Sequence, residues 1–325
     1  MPERTRKILL AAAIVAAVVV RCAEVAAAGQ NGAVEGKATV SVSYDNGPVF
    51  RYCHAGASKK PYVDRLFSPA GVQVLRDSPH DHKHHHALMF ATAVDGVDFW
   101  SETPGCGKQK PRSLDVINGG PPDGTQRAGF SEKLDWMGPR SSKPLLVESR
   151  EVCELRDGGL DALPTLGATL IEWRSSLQTP PGKRTVVLTG SHYFGLGIRF
   201  VQSMDADGRF FNADDKQGEI VRGDERLTPV KWCAYTAKAD GKPVTVAIFD
   251  HPENLRYPAK MFTMSTPFAY LSATRNEWKE PITIKTGKPL DLRYGVAVWD
   301  GAVDKKTVEQ LYQRWLKLRP SGSTK

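Results

Sequence analysis

Residues 290–300 read LDLRYGVAVWD, a run in which Leu290, Leu292, Tyr294, Val296 and Val298 occupy every second position. Successive side chains of a β-strand point to opposite faces, so these five residues share one face. The run therefore predicts a strand with one apolar face that is available for packing in a core.

The same alternation recurs elsewhere in the chain. Val40, Val42 and Tyr44 alternate with serines, and the turn sequence Asp45-Asn46-Gly47 leads into a second apolar run at residues 49–52, which predicts a hairpin. Further strands are predicted at residues 145–155, 168–178, 184–189, 196–203 and 244–250. Helical spacing is confined to the end of the chain, where apolar residues recur three and four positions apart after the predicted N-cap Asp304: Val308, Leu311, Tyr312, Trp315 and Leu316.

The composition fits many short strands joined by turns. Of 325 residues, 41% are hydrophobic and 25% charged, which excludes a disordered chain or a coiled coil, and the 29 Gly and 22 Pro disfavour a helix bundle. We therefore expect an all-β fold, an antiparallel β-sandwich or supersandwich with a C-terminal helix, in a single domain at residues 29–319. Residues 101–126 predict an elaborated loop, and residues 320–325 a disordered tail.

The first 28 residues predict a signal peptide. Arg4, Arg6 and Lys7 precede the apolar run at residues 8–20, and Ala26 to Ala28 offer a cleavage site. The apolar run is shorter than the roughly 20 residues that a membrane span needs, so no integral span is predicted. We expect a periplasmic or extracellular protein; a lipoprotein attached through Cys22 remains an alternative.

The net charge and the cysteine content limit the binding partners and the cellular compartment that can be predicted. Removing residues 1–28 takes four basic and two acidic residues from 44 and 36, which leaves 40 and 34 and a net charge of +6. These basic residues are scattered along the sequence, so no nucleic-acid partner is predicted. The mature chain has four cysteines: Cys53, Cys106, Cys153 and Cys233. This even number predicts disulfide bonds in an oxidising compartment.

Five histidines fall within residues 80–86, HDHKHHH. In an extended segment His82 and His84 would point to the same side and His85 to the other. His82 and His84 could then supply two ligands to one divalent metal ion, with a third ligand from elsewhere in the chain, for which His251 and Asp250 are candidates. Without a metal, imidazoles with a pKa near neutrality could act as acids or bases or polarise a carbonyl group.

Two further segments carry candidate site residues. His251 and Asn254 follow the apolar run at residues 244–249, and polar groups at a strand end are exposed on a rigid support. Tyr193 and Arg199 lie in a Gly-rich apolar segment, from which the guanidinium group could bind a carboxylate or sugar hydroxyls. Motifs for a serine hydrolase, a P-loop and a dinucleotide-binding fold are absent from the sequence.

Several motifs resemble one family of exported bacterial proteins. RDSPHDHKHHHAL, YFGLGIRF, AIFDHPENLRYP and LRYGVAVWDG resemble the proteins labelled PmoA-like or "methane oxygenase", over about residues 60–316. Family members typically read D-H-P-H-H-R-G-L at the histidine segment, which matches His82, His84 and His85. This chain has Lys83, His86 and Ala87 where the family usually has Pro, Arg and Gly.

The resemblance implies a sandwich similar to galactose mutarotases and a role in carbohydrate use. The leading interpretation is an enzyme acting on a sugar or glycoside, of epimerase, lyase or glycosidase type, with a small-molecule carbohydrate as its partner. The candidate residues are His82, His85 and His251 for catalysis, and Arg199, Asn254 and Tyr193 for substrate binding. Alternatives are a metal-dependent oxidoreductase and a non-catalytic carbohydrate-binding protein that stacks sugars on Trp100, Trp136 or Trp278. The oligomeric state stays open.

Overall fold

A computed structural model describes residues 31–56, 58–120, 124–157 and 167–318. The predicted signal peptide at residues 1–28 and the predicted tail at residues 320–325 lie outside these ranges. The described residues form three antiparallel sheets and one C-terminal α-helix. The predicted all-β sandwich with a C-terminal helix is therefore confirmed.

The strands are numbered along the chain, and ten of them form the first sheet. Its spatial order is β1 (Gly32–Glu35), β2 (Thr39–Tyr44), β3 (Gly47–Cys53), β4 (Tyr62–Leu66), β5 (Leu88–Ala91), β13 (Gly195–Arg199), β20 (Tyr270–Thr274), β19 (Lys260–Met264), β16 (Arg226–Pro229) and β15 (Glu219–Ile220).

The second sheet has eight strands and the third has four. The eight are, in spatial order, β14 (Arg209–Asn212), β17 (Trp232–Ala239), β18 (Lys242–Asp250), β22 (Leu290–Asp300), β11 (Ala168–Gln178), β10 (Pro144–Asp157), β9 (Thr125–Met137) and β8 (Lys108–Gly119). The four are β21 (Ile282–Lys285), β12 (Thr185–Thr189), β6 (Ala93–Val94) and β7 (Val97–Asp98).

The alternation in β22 places its side chains in two different apolar layers. Tyr294 and Val296 lie in the main core between the two large sheets, together with Leu196 and Leu271 of the ten-stranded sheet. Ala297 points the other way, into a layer between the eight-stranded sheet and the helix. A third apolar layer covers the outer face of the ten-stranded sheet. Burial of these layers is the main force that holds the two sheets and the helix together.

Helix α1 (Lys305–Lys317) covers part of the outer face of the eight-stranded sheet. Its N-cap is the predicted one, since the side chain of Asp304 accepts a hydrogen bond from the backbone N–H of Thr307 at 2.8 Å. The buried side chains, Val308, Leu311, Tyr312 and Trp315, recur at helical spacing and pack in the layer beneath the helix. No helix in the described part of the chain has the length and apolar character of a membrane span.

Two predictions about the chain are corrected by the structure. Residues 101–126, predicted as a long loop, contain the twelve residues of β8 and the start of β9. The predicted disulfide bonds are absent among the described residues, because Cys53, Cys106, Cys153 and Cys233 are all free. Cys153 and Cys233 illustrate the reason, since they are buried in different apolar layers, on the two opposite faces of the eight-stranded sheet.

Candidate functional site

The histidine segment lies between β4 and β5, and it is not extended. The backbone N–H of His82 donates to the carbonyl of Pro79, and that of His85 donates to the carbonyl of His82, both at 2.9 Å. These turns replace the alternation expected of a strand. His82, His84 and His85 therefore lie together, with ring centroids 4.6–5.9 Å apart, whereas a strand would separate His85 from the other two.

His86 belongs to a separate buried ion-pair network. Its Nδ1 lies 2.7 Å from Asp77 and its Nε2 lies 3.0 Å from Glu102, whose carboxylate also pairs with the buried amine of Lys60 at 3.2 Å. Burial opposes a charge on His86, but the two carboxylates outweigh it and raise the pKa of His86. This network ties the histidine segment to the ten-stranded sheet and to the residues that follow β7.

Aromatic rings form the surface next to the three clustered histidines. The His85 ring lies 5.4 Å from that of Tyr270 and 6.3 Å from that of Trp100, and Tyr193 packs against Trp100 at 5.5 Å. We call the surface formed by His82, His84, His85, Trp100, Tyr193 and Tyr270 the histidine face. It lies on the outer side of the ten-stranded sheet.

Three buried polar atoms of the histidine face have no hydrogen-bond partner among the described residues. They are His85 Nδ1, Trp100 Nε1 and Tyr270 Oη. Trp100 and Tyr270 are 1% and 3% exposed, so leaving these groups unpaired costs free energy. The partly exposed imidazoles of His82 and His84, beside these rings, are the groups that can direct hydrogen bonds at a polar ligand.

The imidazoles of His84 and His85 are held neutral. Burial first, then the neighbouring imidazoles and the cations Arg199 and Lys60, lower the pKa of His85 to about 2. Burial and then Lys60 lower the pKa of His84. A neutral imidazole has one donor and one acceptor nitrogen, so His85 and His84 can accept as well as donate hydrogen bonds at neutral pH.

Two imidazole–carboxylate pairs flank these neutral groups. His82 Nδ1 lies 3.1 Å from Asp81, and His192 Nε2 lies 3.1 Å from Glu225. The His192 ring contacts Tyr193 at 5.0 Å and Trp278 at 5.7 Å. The sequence-based prediction missed His192, although it lies next to Tyr193, because a lone histidine carries no spacing pattern.

Tyr193 and Arg199 lie on the same side of the ten-stranded sheet as the histidines. Tyr193 contributes its ring to the histidine face. Arg199 stacks over Phe268 at 3.6 Å, and Phe268 in turn contacts the rings of His82 and His85. The guanidinium group of Arg199 is paired with Asp205 at 3.4 Å and is 1% exposed, so it supports the face from beneath.

His251 and Asn254 do not join the other candidates. They follow β18, a strand of the other large sheet, and therefore lie on the outer side of the eight-stranded sheet. His251 Nε2 accepts a hydrogen bond from Arg293 at 3.0 Å, and burial together with Arg293 lowers the pKa of His251. The amide of Asn254 bonds to Asp250 and to both backbone groups of Arg293, which fastens this turn to β22. The expected convergence of His251 with His82 and His85 is therefore not observed.

The residues do not fit a resident metal ion. His82 and His84 have ring centroids 5.9 Å apart, but no three His, Cys, Asp or Glu side chains in the described ranges are arranged to hold a metal. The predicted third ligand, from Asp250 or His251, lies on the other sheet. The metal site at His82 and His84 stays a prediction, and we derive no chemical step through it.

The three candidate stacking tryptophans differ in exposure. Trp136 and Trp100 are 0% and 1% exposed and belong to apolar layers, whereas Trp278 is 38% exposed beside His192. Trp278 is therefore the one of the three whose ring is open to a ligand.

Several solved structures align with the chain at low sequence identity. The chain aligns with a GH36 α-galactosidase from Geobacillus stearothermophilus at 10% identity and a TM-score of 0.48, over 81% of this chain and 41% of that one. A glycoside hydrolase family 97 enzyme from Pseudoalteromonas sp. strain K8 aligns at 12% identity and a TM-score of 0.48, over 81% and 36%.

A candidate mutarotase, YeaD, from Salmonella typhimurium aligns at 12% identity and a TM-score of 0.34, over 82% and 93%. The chain thus spans less than half the length of the two glycoside hydrolases. These likenesses are too remote to transfer an activity.

Sequence comparison identifies a family but does not supply an activity. No curated protein matches the chain. The matching family profile does not carry the label PmoA-like, so that label stays an expectation from the resemblance. A family profile described as "Family of unknown function (DUF6807)" matches residues 39–313, which is most of the chain. The protein is therefore a member of the DUF6807 family.

Proposed function

We propose that the protein is an exported enzyme that acts on a sugar or glycoside at the histidine face. The observation that carries the proposal is the group of partly exposed imidazoles, His82, His84 and His192, two of them paired with carboxylates, beside the rings of Tyr193 and Trp278. A sugar offers the complement, because its hydroxyl groups donate and accept hydrogen bonds while its C–H faces pack on aromatic rings.

The proposed chemistry is proton transfer at a sugar carbon or oxygen, as in an epimerase, lyase or glycosidase. His192 with Glu225 and His82 with Asp81 are the candidate acid and base, since a carboxylate orients an imidazole and stabilises its charged form. His85 has too low a pKa to take up a proton, so its role is to hydrogen-bond and polarise the substrate. Tyr193 packs against the substrate, while His251 and Asn254 have no role in this step.

The test is turnover by wild-type protein and three histidine variants. A panel of aldoses, glycosides and uronates is followed by NMR with wild type, His85→Ala, His192→Ala and the matched control His80→Ala. His80 is an exposed member of the same segment. We expect the first two variants to lose about 100-fold or more in kcat/KM, and the control to stay within about twofold. Undiminished turnover by both site variants, on every substrate found, would overturn the proposal.

A non-catalytic carbohydrate-binding protein is the second candidate. The exposed ring of Trp278 beside His192 favours it, because an accessible indole can stack on a sugar without any chemistry. Sugar binding that Trp278→Ala abolishes, in a protein with no turnover, would support this candidate over the enzyme.

The metal-dependent oxidoreductase is tested separately. Iron or copper at one ion per chain, in protein purified without a tag, would favour it. Export is tested by the mass of the mature N-terminus.

A further inference from the structure

A groove crosses the outer face of the eight-stranded sheet, on the opposite side of the sandwich from the histidine face. At one end is a cavity of about 420 Å³ lined by residues of five neighbouring strands and by the turn at His251. At the other end is a cavity of about 590 Å³ beside the turn at residues 285–288, which follows β21 and which we call the β21 hairpin. We call these the polar end and the basic end of the groove.

Strand register shows that the two ends are continuous. Ser149 and Ser176 are directly opposite each other on β10 and β11 and line the polar end. Val147 and Gln178 are the next pair on the same face, and they line the basic end. Two residues along a strand span about 7 Å, so the ends are adjacent stretches of one surface.

The polar end presents rows of hydrogen-bonding side chains. One row runs across the strands through Ser113, Lys133, Ser149, Ser176 and Asp291. The next row contains two carboxylates, Asp115 and Glu151, and also Arg174. The Nε of Arg174 lies 3.1 Å from the buried carboxylate of Glu172. Such closely spaced donors and acceptors on a flat face suit a ligand with many hydroxyl groups.

The basic end carries five basic side chains: Arg112, Lys183, Arg184, Lys285 and Lys288. Among the described residues that line it, none is acidic. Arg112 and Lys183 pair with Asp135 and Asp95, whereas Arg184, Lys285 and Lys288 form no ion pair with any residue that the structure describes. Three positive charges therefore remain for an external anion.

These charges lie on a frame that the fold holds in place. Thr286 joins the β21 hairpin to the turn before β12, because its N–H donates to the carbonyl of Arg184 at 3.0 Å and its hydroxyl donates to that of Lys183 at 2.9 Å. Thr185 and Lys285 are paired residues of β12 and β21. Binding an anion there would order little additional backbone.

From this combination we propose that the groove binds an anionic polysaccharide, with its carboxylate or sulfate groups at the basic end and its hydroxyl groups along the polar end. Among the described residues that line the two cavities there is no Phe, Tyr or Trp, so the groove lacks the large stacking platforms with which proteins bind single-stranded nucleic acids. The inference does not depend on the proposed function, because the groove and the histidine face are on opposite sides of the molecule.

The test measures binding of fluorescein-labelled polygalacturonate and dextran sulfate at low and high salt, with neutral dextran and a single-stranded DNA as further probes. The double variant Lys285→Glu/Lys288→Glu reverses two unpaired charges at the basic end. The matched control, Lys238→Glu/Lys242→Glu, reverses two exposed charges on the β17–β18 hairpin, which adjoins the opposite end of β22.

We expect both anionic polysaccharides to bind the wild type in a salt-dependent way, and neutral dextran not to bind. The K285E/K288E protein should lose about tenfold or more in affinity, and the control less than about threefold. Ser149→Ala/Ser176→Ala should weaken binding without changing its salt dependence. Equal losses in the two charge-reversal variants, absence of binding at low salt, or tighter binding of the DNA would overturn the proposal. Sugar turnover at the histidine face should be the same in wild type and K285E/K288E, which separates the two proposals.

Discussion

Lys60 controls the electrostatics beneath the histidine face. Its side chain is fully buried, and burial lowers its pKa while the carboxylate of Glu102 opposes that shift. The amine contributes to the low pKa of both His84 and His85. A charge in a poorly solvated position acts over several ångströms because little water screens it.

Replacing Lys60 by methionine is therefore expected to raise the pKa of His84. The side chain keeps its apolar volume, while the positive charge is removed and the negative charge of Glu102 remains. The measurement is an NMR titration of the His84 ring protons, with Lys59→Met as control, since the Lys59 amine instead donates to the carbonyl of Thr103. An unchanged His84 midpoint in Lys60→Met would contradict this account.

Two of the three unusual residues of the histidine segment have local explanations. The φ angle of Ala87 is 46°, which lies in the left-handed region that glycine adopts without strain. This backbone conformation explains why the resembling proteins usually have glycine at this position. His86 lies between two carboxylates that raise its pKa, at the position where the resembling family usually has an arginine. The sequence shows that these residues differ from the resembling family. The turns that explain the differences could not be predicted, because they depend on the whole segment.

Among the elements, those with a strong local pattern were predictable. β22, the β2–β3 hairpin and α1 each bury one face, and the periodic apolar residues of each element predict that face. β8 escaped prediction because it is the edge strand of its sheet and is mostly exposed along its length. It contains Pro111 next to an irregularity in its register, a position where an edge strand tolerates proline.

Strands β9 and β10 carry a polar network into the main core, and its titration links stability to pH. Glu132 accepts a hydrogen bond from Tyr52 at 2.5 Å, and Arg150 donates to Tyr52 and Glu148. Burial raises the pKa of Glu132 to about 7. The folded state therefore binds this proton more tightly than the unfolded chain, where the pKa is about 4.3.

The sign follows from proton linkage. A raised carboxyl pKa contributes stability at low pH, and that contribution is lost as pH rises toward and through about 7. Between pH 5 and pH 8 the free energy of unfolding should fall by about 1–3 kcal/mol through this group. Glu132→Gln, which imitates the neutral acid, should show a smaller fall in urea denaturation, whereas the exposed control Glu219→Gln should behave like the wild type. Parallel curves for wild type and Glu132→Gln would exclude this role for Glu132.

At the scale of the whole molecule, the local sequence pattern did not determine which candidate site residues lie close together. The sequence predicted the strand before His251, but whether β18 joins the ten-stranded or the eight-stranded sheet depends on contacts distant in the chain. That choice separates His251 from His82 and His85. The pairing of β13 with β5 in the ten-stranded sheet brings His192, 107 residues after His85 in the sequence, to the surroundings of the same face.

The free cysteines give a prediction for the intact protein. Burial raises the pKa of Cys153 and Cys233, which keeps these thiols protonated and unreactive in the folded state. The urea midpoint should therefore be the same with and without dithiothreitol. Alkylation in denaturant without reductant, followed by peptide mass mapping, should modify Cys53, Cys106, Cys153 and Cys233. Any of these four that stays unmodified until reduction would restore the disulfide hypothesis.

The histidine face and the groove lie on opposite sides of the molecule, and both large sheets and the main core separate them. Sheets pack about 10 Å apart, and the outer side chains add to that thickness. A long polymer bound in the groove would consequently leave the histidine face accessible to freely diffusing solutes. Such a molecule would work as a tethered catalyst, which stays attached to an acidic matrix while it processes small sugars from the surrounding fluid.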